Sequence, residues 1–125
     1  MEGLPKKVLQ SWENREGPIV FATVDTRGVP NAIYATCVRC FDGGKIAVAD
    51  NYFNKTRANI QAGSPGSILF ITGDGTSYQV KGSVEYLIDG PIYDAMRECL
   101  DAEFPVHAVA VVTADEVYSG GDKLA

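Results

Sequence analysis

Most of this chain falls into apolar, β-branched runs of strand length, and helical spacing appears in only three short places. Residues 19 to 25, IVFATVD, form an apolar, β-branched run between Gly17-Pro18 and the turn-like TRGVP, and predict a buried strand. The run from 31 to 41, NAIYATCVRCF, has the same character and predicts its hairpin partner. Asp42-Gly43-Gly44 then turns the chain into KIAVAD, residues 45 to 50, a third strand. After the loop GSPGS, ILFIT (68 to 72) reads as a fourth strand, GDGT as a hairpin turn, and SYQVKGSVEYLI (77 to 88) as a long fifth. In that fifth strand Tyr78, Val80, Val84 and Tyr86 share one face, with Gln79, Lys81, Ser83 and Glu85 on the other. VHAVAVVTADEVY, residues 106 to 118, is a sixth strand, mostly buried.

The helical segments are short. LPKKVLQSWEN predicts a helix from Pro5, with Val8, Leu9 and Trp12 on one side and Gly17-Pro18 ending it. A second runs from about Asn54 to Ala62, where Gly63 suits a C-terminal cap. A third lies within DGPIYDAMRECLDAEF, which carries Ile92, Tyr93, Met96, Cys99 and Leu100 at helical spacing. Six strands joined mainly by hairpins, with little helix between them, predict a mainly β fold: a closed, six-stranded antiparallel barrel. A doubly wound parallel sheet would need a helix after nearly every strand, and the chain has no G-x-G-x-x-G loop. No internal repeat interrupts the pattern, and 125 residues suffice for one domain, 1 to 125, with a real core.

Composition narrows the partners. The net charge is −5 and no basic run exceeds Lys6-Lys7, so the long-range field repels nucleic acid and anionic bilayers. Met1 leads into charged residues and a proline rather than a cleavable leader, and no apolar run approaches the roughly 18 residues of a membrane span, so a cytoplasmic protein is expected. Three cysteines, an odd number, suit reduced thiols. Cys37 and Cys40 have the spacing of a metal or redox pair, but on one strand residues three apart point to opposite faces, which favours packing over a metal site. Asn54-Lys55-Thr56 matches a glycosylation pattern that has no meaning without secretion.

That same segment raises a more productive question. In NYFNKTRANI a strand feeds the first turn of a helix, where backbone N–H groups lack intrahelical partners, and Lys55, Thr56 and Arg57 add donors and positive charge. The sharp reading is a phosphate site. The plain one is a capped helix, with Asn54 as its N-cap and the two cations solvated. A small phosphorylated ligand needs only such local charge. Arg39 is another candidate phosphate ligand. His107, the only histidine, reads as structural or interfacial rather than as a proton donor, and Trp12, Tyr34, Tyr52, Phe53 and Tyr118 as packing residues able to flank a planar ring.

The strand GPIVFATVDTRGVPNAIYATCV, the strand KIAVADN, the turn NKTRANI and the strand YQVKGSVEYL follow, in order and spacing, a known pattern. The chain resembles the split-barrel FMN-binding family related to pyridoxamine 5′-phosphate oxidase, over about residues 15 to 115, and is most similar to its short FMN-binding members. The resemblance implies a flavin phosphate at Asn54, Lys55 and Thr56, an isoalloxazine ring against Ala35, Thr36, Cys37, Val48, Ala49 and Asp50, and a flavin contact at Gln79. It also implies a homodimer with two flavin sites at the subunit interface. The oxidase's arginine-led basic strand is replaced here by YATCVR, and its substrate-holding C-terminal segment has no counterpart after YSGGDKLA, so that oxidase activity is not expected. What is expected is an FMN-dependent oxidoreductase or flavin reductase; the alternatives are a non-enzymatic FMN carrier or electron-transfer protein, and a relative that binds the deazaflavin F420. Net acidity counts against F420, whose polyglutamate tail asks for a basic groove.

Overall fold

The computed structural model describes residues 2–125. Within them lie three helices, α1 (Lys6–Glu13), α2 (Lys55–Gln61) and α3 (Pro91–Cys99). The strands are β1 (Ile19–Val24), β2 (Pro30–Ala35), β3 (Val38–Phe41), β4 (Lys45–Asp50), β5 (Gly66–Ile71), β6 (Ser77–Leu87), β7 (Ala108–Ser119) and β8 (Asp122–Lys123). They form one curled antiparallel sheet in the order β2-β1-β5-β6-β7-β4-β3, with β8 added to β7. No helix among the described residues is long and apolar enough to cross a membrane.

The mainly β antiparallel barrel stands, with two corrections. The single strand expected over residues 31 to 41 is two: β2 stops at Ala35, and β3 starts at Val38 after a bend at Thr36 and Cys37, where the Val38 N–H donates to the Thr36 carbonyl (3.1 Å). Together with the short β8, this raises the count from six to eight. β2 pairs only with β1 and β3 only with β4, so the halves of that expected strand lie at opposite edges of the sheet. The closed form expected from the hairpin pattern alone gives way to the split barrel that the family resemblance implies. It is split along a seam, and the chain itself crosses from one edge to the other.

Burial explains which strands line the interior. Ile19 and Phe21 of β1, Ile68 and Phe70 of β5, Tyr78 and Val80 of β6, and Ile46 and Val48 of β4 point inward with Ala110, Val112 and Val117 of β7. Val8 and Trp12 of α1 pack on this core, the Trp12 ring meeting Phe70 edge-on at 5.1 Å; Leu9, expected on the same side, is largely exposed. β4 and β7 are covered on both faces, because Ala47, Ala49, Val109 and Val111 face outward onto a second cluster with Met96 of α3. Continuous apolar runs in exactly these strands follow from that double coverage. The third helix lies within the expected segment and ends at Cys99, because Leu100, the last of the helically spaced apolar residues, turns extended (ψ 151°).

A bulge in β7 lets two segments come close. Lys81 pairs with Glu116 and Gly82 with Ala114, leaving Asp115 as the extra residue. A Cβ on Gly82 would fall 1.7 Å from the Thr113 carbonyl oxygen, so only glycine fits. Gly82→Ala is expected to destabilise the fold by about 3 kcal/mol, the upper end for overpacking. Urea denaturation measures it, and an unchanged midpoint would contradict this packing.

Candidate functional site

The seam between β2 and β3 opens into a cleft of about 360 Å³. Ile33, Tyr34 and Ala35 of β2 form one wall with Thr36 and Cys37 of the crossing; Ala49 of β4 lies behind them. Residues 51 to 56 form the floor, and Phe104, from the connection between α3 and β7, closes one side. Tyr34 and Tyr52 stand at the rim with 77% and 78% of their surfaces exposed. The cleft is thus mostly apolar and aromatic, with a few polar groups gathered at one end, the composition typical of a small-ligand site.

Those polar groups belong to the turn into α2. The Ala58 N–H is the first to bond back, to the Asn54 carbonyl at 3.1 Å, which leaves the preceding amides outside the helical ladder. Asn54 occupies the N-cap position but makes no side-chain cap bond. With seven residues, α2 is too short for its dipole to define a site, so the chemistry rests on side chains. Thr56 is 1% exposed and its hydroxyl accepts from Asn31 Nδ2 at 3.1 Å, leaving its own proton for an acceptor in the cleft. Lys55 is exposed beside it and is the only cation lining the cleft among the described residues. Asn59, one turn on, donates to Thr23 Oγ1 at 3.0 Å and fastens α2 to β1.

Beneath the turn sits a buried carboxylate. Asp50, fully buried at the end of β4, accepts from Arg57 Nε at 2.7 Å, from Arg57 Nη2 at 3.0 Å, from the Phe53 N–H at 2.9 Å and from the Tyr86 hydroxyl. Arg57 Nε also reaches the Tyr86 oxygen at 3.1 Å. Burial works to raise the Asp50 pKa, but the bonds from Arg57, Tyr86 and Phe53 outweigh it and hold the carboxyl below its ordinary range. Burial and the adjacent carboxylate push the Tyr86 phenol up.

Of the residues singled out from sequence, Ala35, Thr36, Cys37, Ala49, Asn54, Lys55 and Thr56 meet at this cleft. Val48 does not: its side chain is buried in the barrel core. Asp50 lies under the turn rather than in the cleft, and Arg57 is turned to it. Gln79 lies apart, on the outer face, where its amide donates to Ser67 Oγ at 2.9 Å within a wider depression of about 620 Å³ that includes Lys81 and Glu116. Arg39 stacks on Phe41, 4.9 Å from the ring centroid, away from the turn. Cys37 and Cys40 do face opposite ways, into the outer and inner apolar clusters respectively, and burial pushes the Cys40 thiol up to about 12. His107 is exposed, with its backbone N–H on the Asp50 carbonyl at 2.9 Å.

Sequence reasoning missed Asn31, Asn51 and Phe104. Asn31 is a polar residue inside an apolar strand run, which is a usable signal; Asn51 carried none beyond its place in the turn. Phe104, at the end of a segment read only for its helical set from Ile92 to Leu100, carried no signal of its own.

An uncharacterized protein of Methanocaldococcus jannaschii is 29% identical over 122 residues, covering 93% of this chain and 80% of its own. HupZ of Group A Streptococcus superposes with a TM-score of 0.79 at 23% identity, over 93% of both chains. An FMN-binding protein from Syntrophomonas wolfei gives 0.78 at 19% identity, over 91% of this chain and 86% of that one. At these identities the two structural matches speak for the fold alone. The family model described as pyridoxamine 5′-phosphate oxidase matches residues 5–119, which takes in the seam, the turn and every strand that builds them. The chain belongs to the pyridoxamine 5′-phosphate oxidase family.

Proposed function

We propose that this protein binds FMN in the seam cleft, the phosphate on Lys55 and Thr56 and the ring against Ala35, Thr36, Cys37 and Ala49, and that it works as a flavin-dependent oxidoreductase or flavin reductase. The observation that carries the reading is the buried Thr56 hydroxyl, oriented by Asn31 and set beside one free lysine at the polar end of an apolar slot. That arrangement suits a ligand with a single anionic end and a planar body. Bound FMN would supply the electron-transfer chemistry; the protein's part is to hold, orient and partly desolvate it. A single lysine is poor provision for a polyglutamate tail, which supports FMN over F420.

No carboxylate or imidazole lines the cleft among the described residues. The phenols of Tyr34 and Tyr52, the Cys37 thiol and the Lys55 ammonium are the cleft's candidate proton donors, so the lining is compatible with both a flavin reductase and an electron carrier. Oxidation of NADH or NADPH by the FMN-loaded protein separates the two: turnover identifies a reductase, and its absence with intact FMN binding identifies a carrier.

One protomer leaves the ligand's outer side open, since the rim tyrosines are exposed. The register places Tyr34, Val20, Leu69 and Gln79 in one row across β2, β1, β5 and β6, with Leu69 and neighbouring Ile71 exposed on that outer face. At about 4.8 Å per strand, Gln79 lies on the order of 14 Å from Tyr34. We infer a homodimer in which this face of one copy covers the cleft of the other and brings its Gln79 to the flavin.

Two results are expected. Lys55→Ala should weaken FMN binding by about 1.5 to 3 kcal/mol, as for a charge-assisted hydrogen bond, while riboflavin, which lacks the phosphate, binds as before. Fluorescence titration with both ligands measures this, and an equal loss for both would rule out Lys55 as the phosphate ligand. Sedimentation across a dilution series should show a monomer–dimer equilibrium that FMN shifts toward dimer, because a ligand touching both copies binds the dimer better. A monomer at all concentrations that still binds FMN stoichiometrically would contradict the shared site.

A further inference from the structure

We propose that Asp50 and Arg57 act as one neutral positioning unit for the anion-binding turn, Arg57 working through Asp50 and not on the ligand. The inference rests on the FMN reading above and extends it to residues that do not line the cleft.

Asp50 is bonded on both sides of the segment that carries the phosphate groups. Phe53, whose N–H it accepts, immediately precedes Asn54-Lys55-Thr56, and Arg57, which it holds through two nitrogens, immediately follows. One carboxylate thus pins both ends of the turn. Tyr86 fixes that carboxylate from β6, where it is itself anchored in the sheet. From a third direction, the Asp50 carbonyl accepts the His107 N–H at 2.9 Å and Asn51 Oδ1 accepts the Val106 N–H at 3.1 Å. Val106 has a φ of +40°, which is costly for a β-branched residue, and these bonds hold it there. So α2, β6 and the start of β7 are all tied to the last residue of β4 and its neighbour.

Charge makes the pairing specific. A buried carboxylate beside an anion site would oppose the anion, and Arg57 cancels it. The guanidinium has its Nε and Nη2 engaged with Asp50. The positive charge left for the ligand is then that of Lys55. Removing Arg57 alone exposes an uncompensated buried carboxylate, whereas removing both charges restores neutrality. A direct phosphate ligand would behave in the opposite way: freeing it from Asp50 would strengthen its hold, and removing Asp50 could not make up for its loss.

The test titrates FMN and riboflavin in parallel against the wild type, Asp50→Asn, Arg57→Met, the double variant and Tyr86→Phe, each checked for folding by circular dichroism. Asp50→Asn should weaken FMN on the order of tenfold, as partners that orient a binding group typically do, with riboflavin unchanged. Arg57→Met should weaken FMN more, and the double variant should bind FMN better than Arg57→Met alone. Tyr86→Phe keeps both charges and removes one donor, so it should lose about threefold on FMN only; it decides the matter where the charge variants do not fold. A purely structural role would lower the thermal midpoint without moving the FMN-to-riboflavin ratio. If the wild type shows no preference for FMN over riboflavin, the FMN reading fails and this proposal with it. If the wild type prefers FMN while Asp50→Asn and Tyr86→Phe keep the full preference, or the double variant is no better than Arg57→Met, the positioning role alone is overturned.

Discussion

The whole arrangement depends on a short crossing. Thr36 and Cys37 carry the chain from β2 at one edge of the sheet to β3 at the other, where no ladder of hydrogen bonds joins the two. Had the run continued unbroken, one strand would have paired with β1 on one side and β4 on the other, and the barrel would have closed over its own core. Because it does not, the seam stays open, and its cleft is walled by β2, by the crossing itself and by Ala49 of β4. The Ala49 N–H, bonded to the Cys37 carbonyl at 2.9 Å, anchors the crossing to β4 so that the gap has a fixed width. A cleft made in this way is apolar along its length and polar only where another element meets it.

That element is the turn into α2, and its position is set by polar groups buried below it. Thr23, Asp50, Asn51 and Asn59 are buried polar residues at or next to strands and a helix that otherwise pack apolar surface, half-buried Asn31 joins them, and each has a partner. Burying such groups is costly unless every bond is made, so their satisfaction fixes the turn in one place. The same economy explains why Arg57, which in sequence reads as a free cation, is not free: a carboxylate at the end of β4 needs it more than solvent does.

Much of this was legible in the sequence. Apolar, β-branched runs, with period-two alternation in β6, located the strands, the Gly-containing turns located most hairpins, and the strand-to-turn segment KIAVADNYFNKTRANI located the polar end of the cleft. Two things were not legible, for physical reasons. The break at Thr36 and Cys37 has no glycine or proline to announce it; both residues suit a strand, and only the competition between two distant pairing partners bends the chain there. Side-chain direction at the end of β4 was equally hidden. A strand buried on both faces gives no polar alternation to say which face points inward: Val48 and Asp50, two apart, share one face, Val48 in the core and Asp50 at the strand's end under the turn.

The central claim is that the seam cleft, and not the wider depression around Gln79 and Lys81 on one protomer, is where FMN's phosphate and ring are held. Amide chemical-shift mapping of the isotope-labelled protein during an FMN titration tests it in one measurement. The account predicts that the largest shifts fall on Thr36, Cys37, Ala49, Lys55 and Thr56, with those at the turn absent when riboflavin replaces FMN. Shifts centred on Ser67, Lys81 and Gly82, with the turn unmoved, would contradict it.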